Sequence, residues 1–160
     1  MEVTVNNWND FLKKAEEIAE SLRNGNKDQQ LWYRGHHKIG YKLQPSLLRY
    51  HEGVQQEEKL FEKYKETLDS DESLQRNPWA ILLEMQHYRV PTRLLDWTEV
   101  LGVAVYFAIT PKFDEACIYI LNPFELDRIS RGPDQDNTND RLIKVPNGDD
   151  SFNFDILPAV

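Results

Sequence analysis

The sequence predicts an α+β domain in which about four helices surround a small mixed sheet. Several segments repeat apolar residues at intervals of three and four, as amphipathic helices do. Two short segments, 29–34 and 116–122, are rich in the aromatic and β-branched residues that favour strands. The run "VLGVAVYFAI" is apolar on nearly every side, which indicates a buried helix near 98–109 at the centre of the fold.

The three other predicted helices follow from periodicity and end signals. Residues 7–22 and 55–68 each place their apolar residues on one face and their charges on the other. Asn77 followed by Pro78 opens the next helix, because asparagine caps helix starts and proline suits the first turn. Val90-Pro91 ends this helix, because a residue before proline is pushed out of the helical conformation.

The remaining segments are less regular. The segment "HHKIGYKLQPSLLRYHEG" is predicted to be irregular with a local helix near 46–49, and "FELDRI" to form one or two helical turns. The segments "RLIKVP" and "SFNFDILP" are predicted strands, and Gly102 predicts a close approach to a neighbouring backbone. Residues 1–160 show no repeat or linker and are interpreted as a single domain. The final "DILPAV" fits either an edge strand or a chain that stops before the domain is complete.

Composition limits the classes of partner. A formal net charge of -8 disfavours nucleic acid as a partner unless a basic cleft overrides it. The longest apolar run is roughly half of what a membrane span needs, so no membrane partner is predicted. The start "MEVTVNNWND" lacks the apolar core of a signal peptide, and there is one cysteine, so a reducing cytoplasm is the predicted location.

Most familiar catalytic and metal motifs are missing from the sequence. It contains no phosphate-binding glycine loop, dinucleotide fingerprint, nucleophile elbow, HExxH motif or cysteine pair. His36 and His37 are adjacent on a predicted strand and would point to opposite faces, so no metal site is predicted. Cys117 lies in the strand-like "ACIYIL" and is predicted to be a buried small side chain rather than a reactive thiol.

The first candidate site is the aromatic strand around Arg34. A charge on such a strand must pair with a carboxylate, stack on a ring or reach a ligand's phosphate or carboxylate, because burying it alone is costly. Gly35 removes side-chain bulk beside Arg34 and would let a ligand approach. The structural alternative is an ion pair between Arg34 and Asp96 or Glu84 that only holds the fold.

The second candidate site is the stretch "ILLEMQHYRVPTRLLDWTEV", residues 81–100. It crowds hydrogen-bonding and ionisable groups beside a hydrophobic helix, namely Gln86, His87, Thr92, Arg93 and Asp96. Each of these residues could instead have a purely structural role, such as a helix cap, a turn residue or a solvated charge. Polar groups near a core must satisfy one another or a ligand, so together they predict a network that lines a pocket or locks a turn.

The blocks "WYRGHHKIGYKLQPSLLR", "EMQHYRVPTRLLDWTEVLGVAVYFA" and "ACIYILNP" resemble the FRG domain family of bacterial and phage proteins, over about residues 29–123. Tyr33 stands where the family's Phe-Arg-Gly signature has phenylalanine, and Arg89 stands where the family's middle block has glycine. The family continues with a strand carrying glutamine and glycine that is not found here. Its absence favours a chain that stops before the domain is complete.

The resemblance implies little about chemistry, because the family's biochemistry is unsettled. Members often occur alone or near mobile-element and defence genes. The aromatic-Arg-Gly motif is also similar to the first motif of Arg-type ADP-ribosyltransferases, in which the arginine holds the phosphate or ribose of the dinucleotide. The matching catalytic glutamate is not found here, so this similarity covers one motif only.

Three hypotheses remain open, in this order. The first is a module that binds a nucleotide, another small molecule or a protein partner. The second is an enzyme that uses NAD, with Arg34, His87 and Asp96 as catalytic residues. The third is a purely structural Arg-His-Asp network. All three expect Arg34 to meet the His87 imidazole and the Asp96 carboxylate. The predicted ligand contacts are Tyr33, Gly35, Gln86, Thr92, Arg93 and Trp97.

Overall fold

The computed structural model describes residues 1–68, 77–110 and 115–131. These residues form five α-helices, one 3-10 helix and one two-stranded sheet, so the predicted α+β class is confirmed. The elements in chain order are α1 Trp8–Arg23, β1 Trp32–His36, the 3-10 helix Leu47–Arg49, α2 Gly53–Lys65, α3 Pro78–His87, α4 Leu101–Ile109, β2 Cys117–Leu121 and α5 Pro123–Arg131.

Most predicted elements lie within a few residues of the observed ones. The side chain of Asn77 caps α3 by accepting a hydrogen bond from the backbone N–H of Trp79 at 2.9 Å. Helix α5 spans nine residues and is longer than the one or two turns predicted for it. The predicted strands in "RLIKVP" and "SFNFDILP" lie outside the described residues.

The described residues fall into two compact units. The first unit contains 1–41, 96–110 and 115–131, and the second contains 42–68 and 77–95. Each unit has its own apolar core. The single-domain interpretation of the sequence stays a prediction.

The sheet of the first unit is a two-stranded antiparallel pair with a defined register. Arg34 lies opposite Tyr119, and His36 lies opposite Cys117. Successive residues of a strand point to opposite faces of the sheet. Arg34 and His36 therefore share one face with Tyr119 and Cys117, and Tyr33, Ile118 and Ile120 share the other face. They pack there with other residues of α1 and α4, among them Ala19 and Ala104. The sheet was predicted to be mixed, and over the described part of the chain it is antiparallel.

Helix α4 packs directly on β1 because Gly35 has no side chain. A Cβ at position 35 would lie 1.9 Å from the backbone oxygen of Ala104 and 2.8 Å from the backbone nitrogen of Ala108. Both alanines are buried. The small side chains on β1 and α4 therefore let the two backbones approach closely.

The prediction that α4 is buried on nearly every side is wrong. Only its Ala104 and Ala108 face is buried, and large apolar side chains such as Tyr106 and Phe107 are exposed. The helix contacts the sheet through the face of Ala104 and Ala108, where Leu101 also packs on the core, and its exposed bulky residues lie on the other faces. A Cβ at Gly102 would have nothing within 4 Å of it, so the close approach predicted there occurs at Gly35 instead.

The core of the second unit lies between α2 and α3. Phe61 of α2 packs against Ile81, Leu82 and Met85 of α3, and all four are buried. The core residues of α1 and α2 lie on the apolar stripes that the sequence periodicity predicted. Among the described residues, no helix is long and apolar enough to cross a membrane.

Candidate functional site

The sheet face that points away from Tyr33 and Gly35 carries four groups capable of chemistry. Arg34 and His36 come from β1, and Tyr119 and Cys117 lie directly opposite them on β2. We call this set of four residues the polar face. The alternation of side chains along paired strands brings them together although they are far apart in sequence.

The side chains of the polar face contact one another. The Nε–H of Arg34 donates to Nε2 of His36 at 3.1 Å. An imidazole nitrogen that accepts a hydrogen bond carries no proton, so His36 takes part in this bond as the neutral tautomer protonated on Nδ1. The buried His36 ring also meets the ring of Tyr119 edge-on, with centroids 5.0 Å apart and planes at 70°. The guanidinium, the imidazole and the phenol therefore form one connected group.

A second hydrogen bond orients the guanidinium. The Nη1–H of Arg34 donates to the backbone carbonyl of Asp96. Asp96 is an exposed residue, and this contact uses its main chain. The segment is held in place by the pairing of Tyr33 and Thr98, whose backbones exchange N–H···O bonds of 2.7 and 2.9 Å. These two hydrogen bonds fix the orientation of the guanidinium.

Cys117 and Tyr119 both keep their protons at neutral pH. Burial raises the pKa of the Cys117 thiol, and its hydrogen bond with Tyr119 lowers that pKa by a smaller amount. Burial is also the main cause that raises the pKa of Tyr119, with the neighbouring thiol adding to the effect. A protonated thiol is a poor nucleophile, which agrees with the prediction that Cys117 is not reactive.

Two predicted ligand contacts face away from the polar face. The side chain of Tyr33 is buried in the core beside Ala104. The space beside Gly35 is occupied by the backbone of α4. The prediction that Gly35 opens a path for a ligand is therefore wrong, and the missing side chain serves helix packing.

Two other predicted contacts, Gln86 and Thr92, form a network in the second unit. The hydroxyl of Thr92 donates to the side-chain oxygen of Gln86, and the Gln86 amide donates to the backbone oxygen of Leu94 at 3.4 Å. The backbone N–H of Thr92 donates to the hydroxyl of Ser46 at 3.3 Å. Thr92 has no exposed surface. These bonds hold the turn after Pro91, which is the structural alternative that the sequence had left open.

Arg93 is anchored by a carboxylate that the sequence analysis missed. Its Nε–H donates to one oxygen of Glu57, and its backbone N–H donates to the other at 3.3 Å. Glu57 is 0% exposed and Arg93 is 9% exposed, so this is a buried ion pair. A signal was available in the sequence, because Glu57 falls three and four residues before Leu60 and Phe61 on the apolar stripe of α2.

The three residues predicted to be catalytic are divided between the two units. Arg34 and Asp96 belong to the first unit and His87 to the second. His87 is exposed at the end of α3, where its ring meets that of Tyr88 edge-on at 5.2 Å. Trp97 is half-buried beside Asp96. The structure thus joins Arg34 to position 96 through a carbonyl, and the meeting of Arg34 with the His87 imidazole stays a prediction.

The sequence analysis also missed His36, Tyr119 and Cys117 as partners of Arg34. The alternation from Arg34 to His36 was visible, since residues two apart share a face of a strand. The partners on β2 depend on the pairing register of two strands that are about eighty residues apart. No local signal reports that register.

The fold and the site define a small α+β protein with an arginine-bearing polar face on a two-stranded sheet. The family model of the FRG domain matches residues 29–117, which is more than half of the chain. The chain therefore belongs to the FRG domain family, and the resemblance predicted from its motifs is confirmed. No curated protein and no solved structure matches the chain.

Proposed function

We propose that the polar face binds a small ligand with a phosphate or carboxylate group, and that the domain acts as a binding module. The observation that carries this proposal is the position of Arg34. Its guanidinium is oriented by two neutral acceptors on the same sheet face as two protonated donors, Tyr119 and Cys117. A planar guanidinium suits the paired oxygens of these anions better than any other side chain does.

The partial burial of the polar face supports anion binding. Arg34, Cys117 and Tyr119 are half-buried. A site that is partly shielded from water strengthens an ion pair, because the effective dielectric constant there is lower than in bulk water. The remaining surface lets a small ligand reach the guanidinium. The strand backbone fixes the spacing of the groups, which reduces the entropy lost on binding.

The protonation states of Cys117 and Tyr119 favour binding over catalysis by these two groups. A nucleophile must be able to lose its proton near the working pH, and a general base must be unprotonated there. The pKa values of Cys117 and Tyr119 are both shifted in the opposite direction. ADP-ribosyl transfer from NAD is therefore the second hypothesis. A protein partner and a role in mobile-element or defence functions also stay predictions.

A ligand screen by thermal unfolding tests the proposal. The full chain is unfolded with increasing concentrations of inorganic phosphate, AMP, ATP or NAD. A compound that binds the folded state raises Tm in proportion to the logarithm of its concentration. We expect at least one of these anions to raise Tm in the wild type and to have no effect on Arg34→Gln. Arg34→Lys should show only a weak rise in Tm, because lysine keeps the positive charge but lacks the planar fork of N–H donors.

A matched control separates ligand binding from general damage. Arg23 is also a half-buried arginine of the first unit. Its Nε–H donates to the backbone carbonyl of Gln29 at 3.1 Å, as the Nη1–H of Arg34 donates to that of Asp96. Arg23→Gln should keep the ligand-dependent rise in Tm. A rise that persists in Arg34→Gln, or the absence of any rise in the wild type, contradicts the proposal. Release of nicotinamide from NAD by the wild type but not by Arg34→Gln would favour the enzyme instead.

A further inference from the structure

We infer that the ligand of the polar face is a mononucleotide whose base stacks on Trp32 and Tyr119 while Arg34 holds its phosphate. The inference rests on the proposed function and specifies its ligand. The observation behind it is the placement of aromatic rings around the guanidinium. Arg34 has Trp32 two residues before it and His36 two residues after it on the same strand face, and Tyr119 lies directly opposite.

The register of the sheet places two of these rings next to Arg34. Trp32 pairs with Leu121, so Tyr119 is its diagonal neighbour across the strands. Diagonal neighbours on one face are within reach of each other when the side chains are aromatic. Trp32 therefore flanks Arg34 along β1, and Tyr119 flanks it across the strands.

The three rings differ in their exposure, which separates their roles. His36 is buried and holds both the Arg34 Nε–H and the edge of Tyr119. Trp32 and Tyr119 are half-buried and keep part of their surface accessible. His36 therefore acts as a positioning residue, and Trp32 and Tyr119 are the rings that a planar ligand group can contact.

A mononucleotide is the simplest ligand class that uses both features. Inorganic phosphate or a sugar phosphate would engage the guanidinium alone. A nucleotide adds a base that can stack on the neighbouring rings, and such stacking tolerates every base because each has a π face. We therefore expect a preference for phosphates that carry a base over phosphates that do not, with little discrimination between AMP and UMP.

Calorimetric titration of the full chain with AMP, UMP and ribose 5-phosphate tests this inference. We expect AMP and UMP to bind at least about tenfold more tightly than ribose 5-phosphate, which is within the usual contribution of base stacking. Trp32→Leu and Tyr119→Ile should each reduce this ratio towards one. Trp32→Phe keeps a ring at the position and should restore part of the ratio.

Aromatic residues elsewhere in the first unit provide the matched controls. Trp8 on α1 and Tyr106 on α4 are 57% and 60% exposed. Trp8→Leu and Tyr106→Leu should leave the ratio of AMP to ribose 5-phosphate affinity unchanged. Circular dichroism checks that each variant is folded, and if Tyr119→Ile is unfolded, the comparison of Trp32→Leu with Trp32→Phe decides.

The outcomes distinguish this inference from the proposed function. Equal affinities for AMP and ribose 5-phosphate, both lost in Arg34→Gln, overturn the nucleotide inference and leave anion binding intact. A preference for AMP that survives both Trp32→Leu and Tyr119→Ile also overturns it, because the base then stacks elsewhere. If none of the three compounds binds, the proposed function fails and the inference fails with it.

Discussion

Two arginines of this protein were candidates for ligand binding, and the structure holds them in opposite ways. Arg93, in the second unit, is buried and paired with the carboxylate of Glu57. Arg34, in the first unit, is half-buried on a sheet face, where a carbonyl and a neutral imidazole accept its hydrogen bonds. The polar, motif-rich segment of the second unit therefore serves the fold at Arg93, whereas the short aromatic-Arg-Gly signature places Arg34 on a half-buried sheet face.

The difference follows from the cost of burying charge. An ion removed from water needs an opposite charge and well-formed hydrogen bonds, because its desolvation costs several kcal/mol. Glu57 meets both needs of Arg93 by accepting from its side chain and its backbone. Arg34 keeps part of its contact with water, so its desolvation costs less than that of Arg93. Arg93 is therefore tied to stability, and binding at Arg34 stays a proposal.

Loss of the buried carboxylate is expected to have the largest effect. Glu57→Ala removes the carboxylate from a buried guanidinium, which typically costs about 3–5 kcal/mol. We expect this loss in the free energy of unfolding, measured with urea. The control is Glu62→Ala on the same helix, because Glu62 makes only an exposed pair with Lys65 and should cost less than about 0.5 kcal/mol. Similar losses for the two variants would show that burial does not distinguish these pairs.

The close packing of α4 on β1 predicts the next largest effect. In Gly35→Ala the added methyl group meets backbone atoms of Ala104 and Ala108, which cannot rotate away. Overpacking of this kind typically costs about 1–3 kcal/mol and occasionally more. We expect a loss of that size in the free energy of unfolding.

Gly102, also in α4, is the matched control for Gly35. Nothing lies within 4 Å of where its Cβ would be, and alanine is favoured over glycine inside a helix by about 0.5–1 kcal/mol. Gly102→Ala should therefore be stabilising where Gly35→Ala is destabilising. A neutral Gly35→Ala would mean that α4 can move off the strand, and the packing role assigned to this glycine of the signature would be wrong.

The sequence was sufficient for most of the fold because helix signals are local. The Asn77-Pro78 start and the Val90-Pro91 end defined α3 to within a few residues. Helix α4 was identified by its apolar run, but composition could not tell which face would be buried. Only the docking of Ala104 and Ala108 beside Gly35 decides that.

The candidate site was less predictable because it depends on pairing between distant segments. Arg34 was identified from the cost of placing a charge on an aromatic strand. Tyr119 and Cys117 join it only through the register of β1 with β2. Arg93 was identified instead as one of several polar groups crowded beside a hydrophobic helix, and the structure pairs it with Glu57.

The C-terminal end of α3 allows a test of whether the sequence motif of the second unit stabilises the fold. The expected change in stability is small and specific to Arg89. Arg89 has φ 62°, in the left-handed region. Its N–H donates to the carbonyl of Gln86 at 3.0 Å, and the next N–H, that of Val90, donates to Met85 at 2.9 Å. This pair of bonds is the helix-ending motif that usually has glycine at the position of Arg89, where the resemblance to the family also expected glycine.

Replacing this arginine by glycine should stabilise the protein. Arg89→Gly removes the strain of a left-handed side-chain-bearing residue, and after the entropy that glycine adds to the unfolded chain, the gain should be about 0.5–1 kcal/mol. Arg89→Ala keeps the strain and should bring no such gain in urea unfolding. If the motif around Arg89 serves only the fold, the Arg34-dependent response to anions will be the same in Arg89→Gly and in the wild type. A changed response would instead link this turn of the second unit to the polar face, and the division of roles between the two arginines would no longer hold.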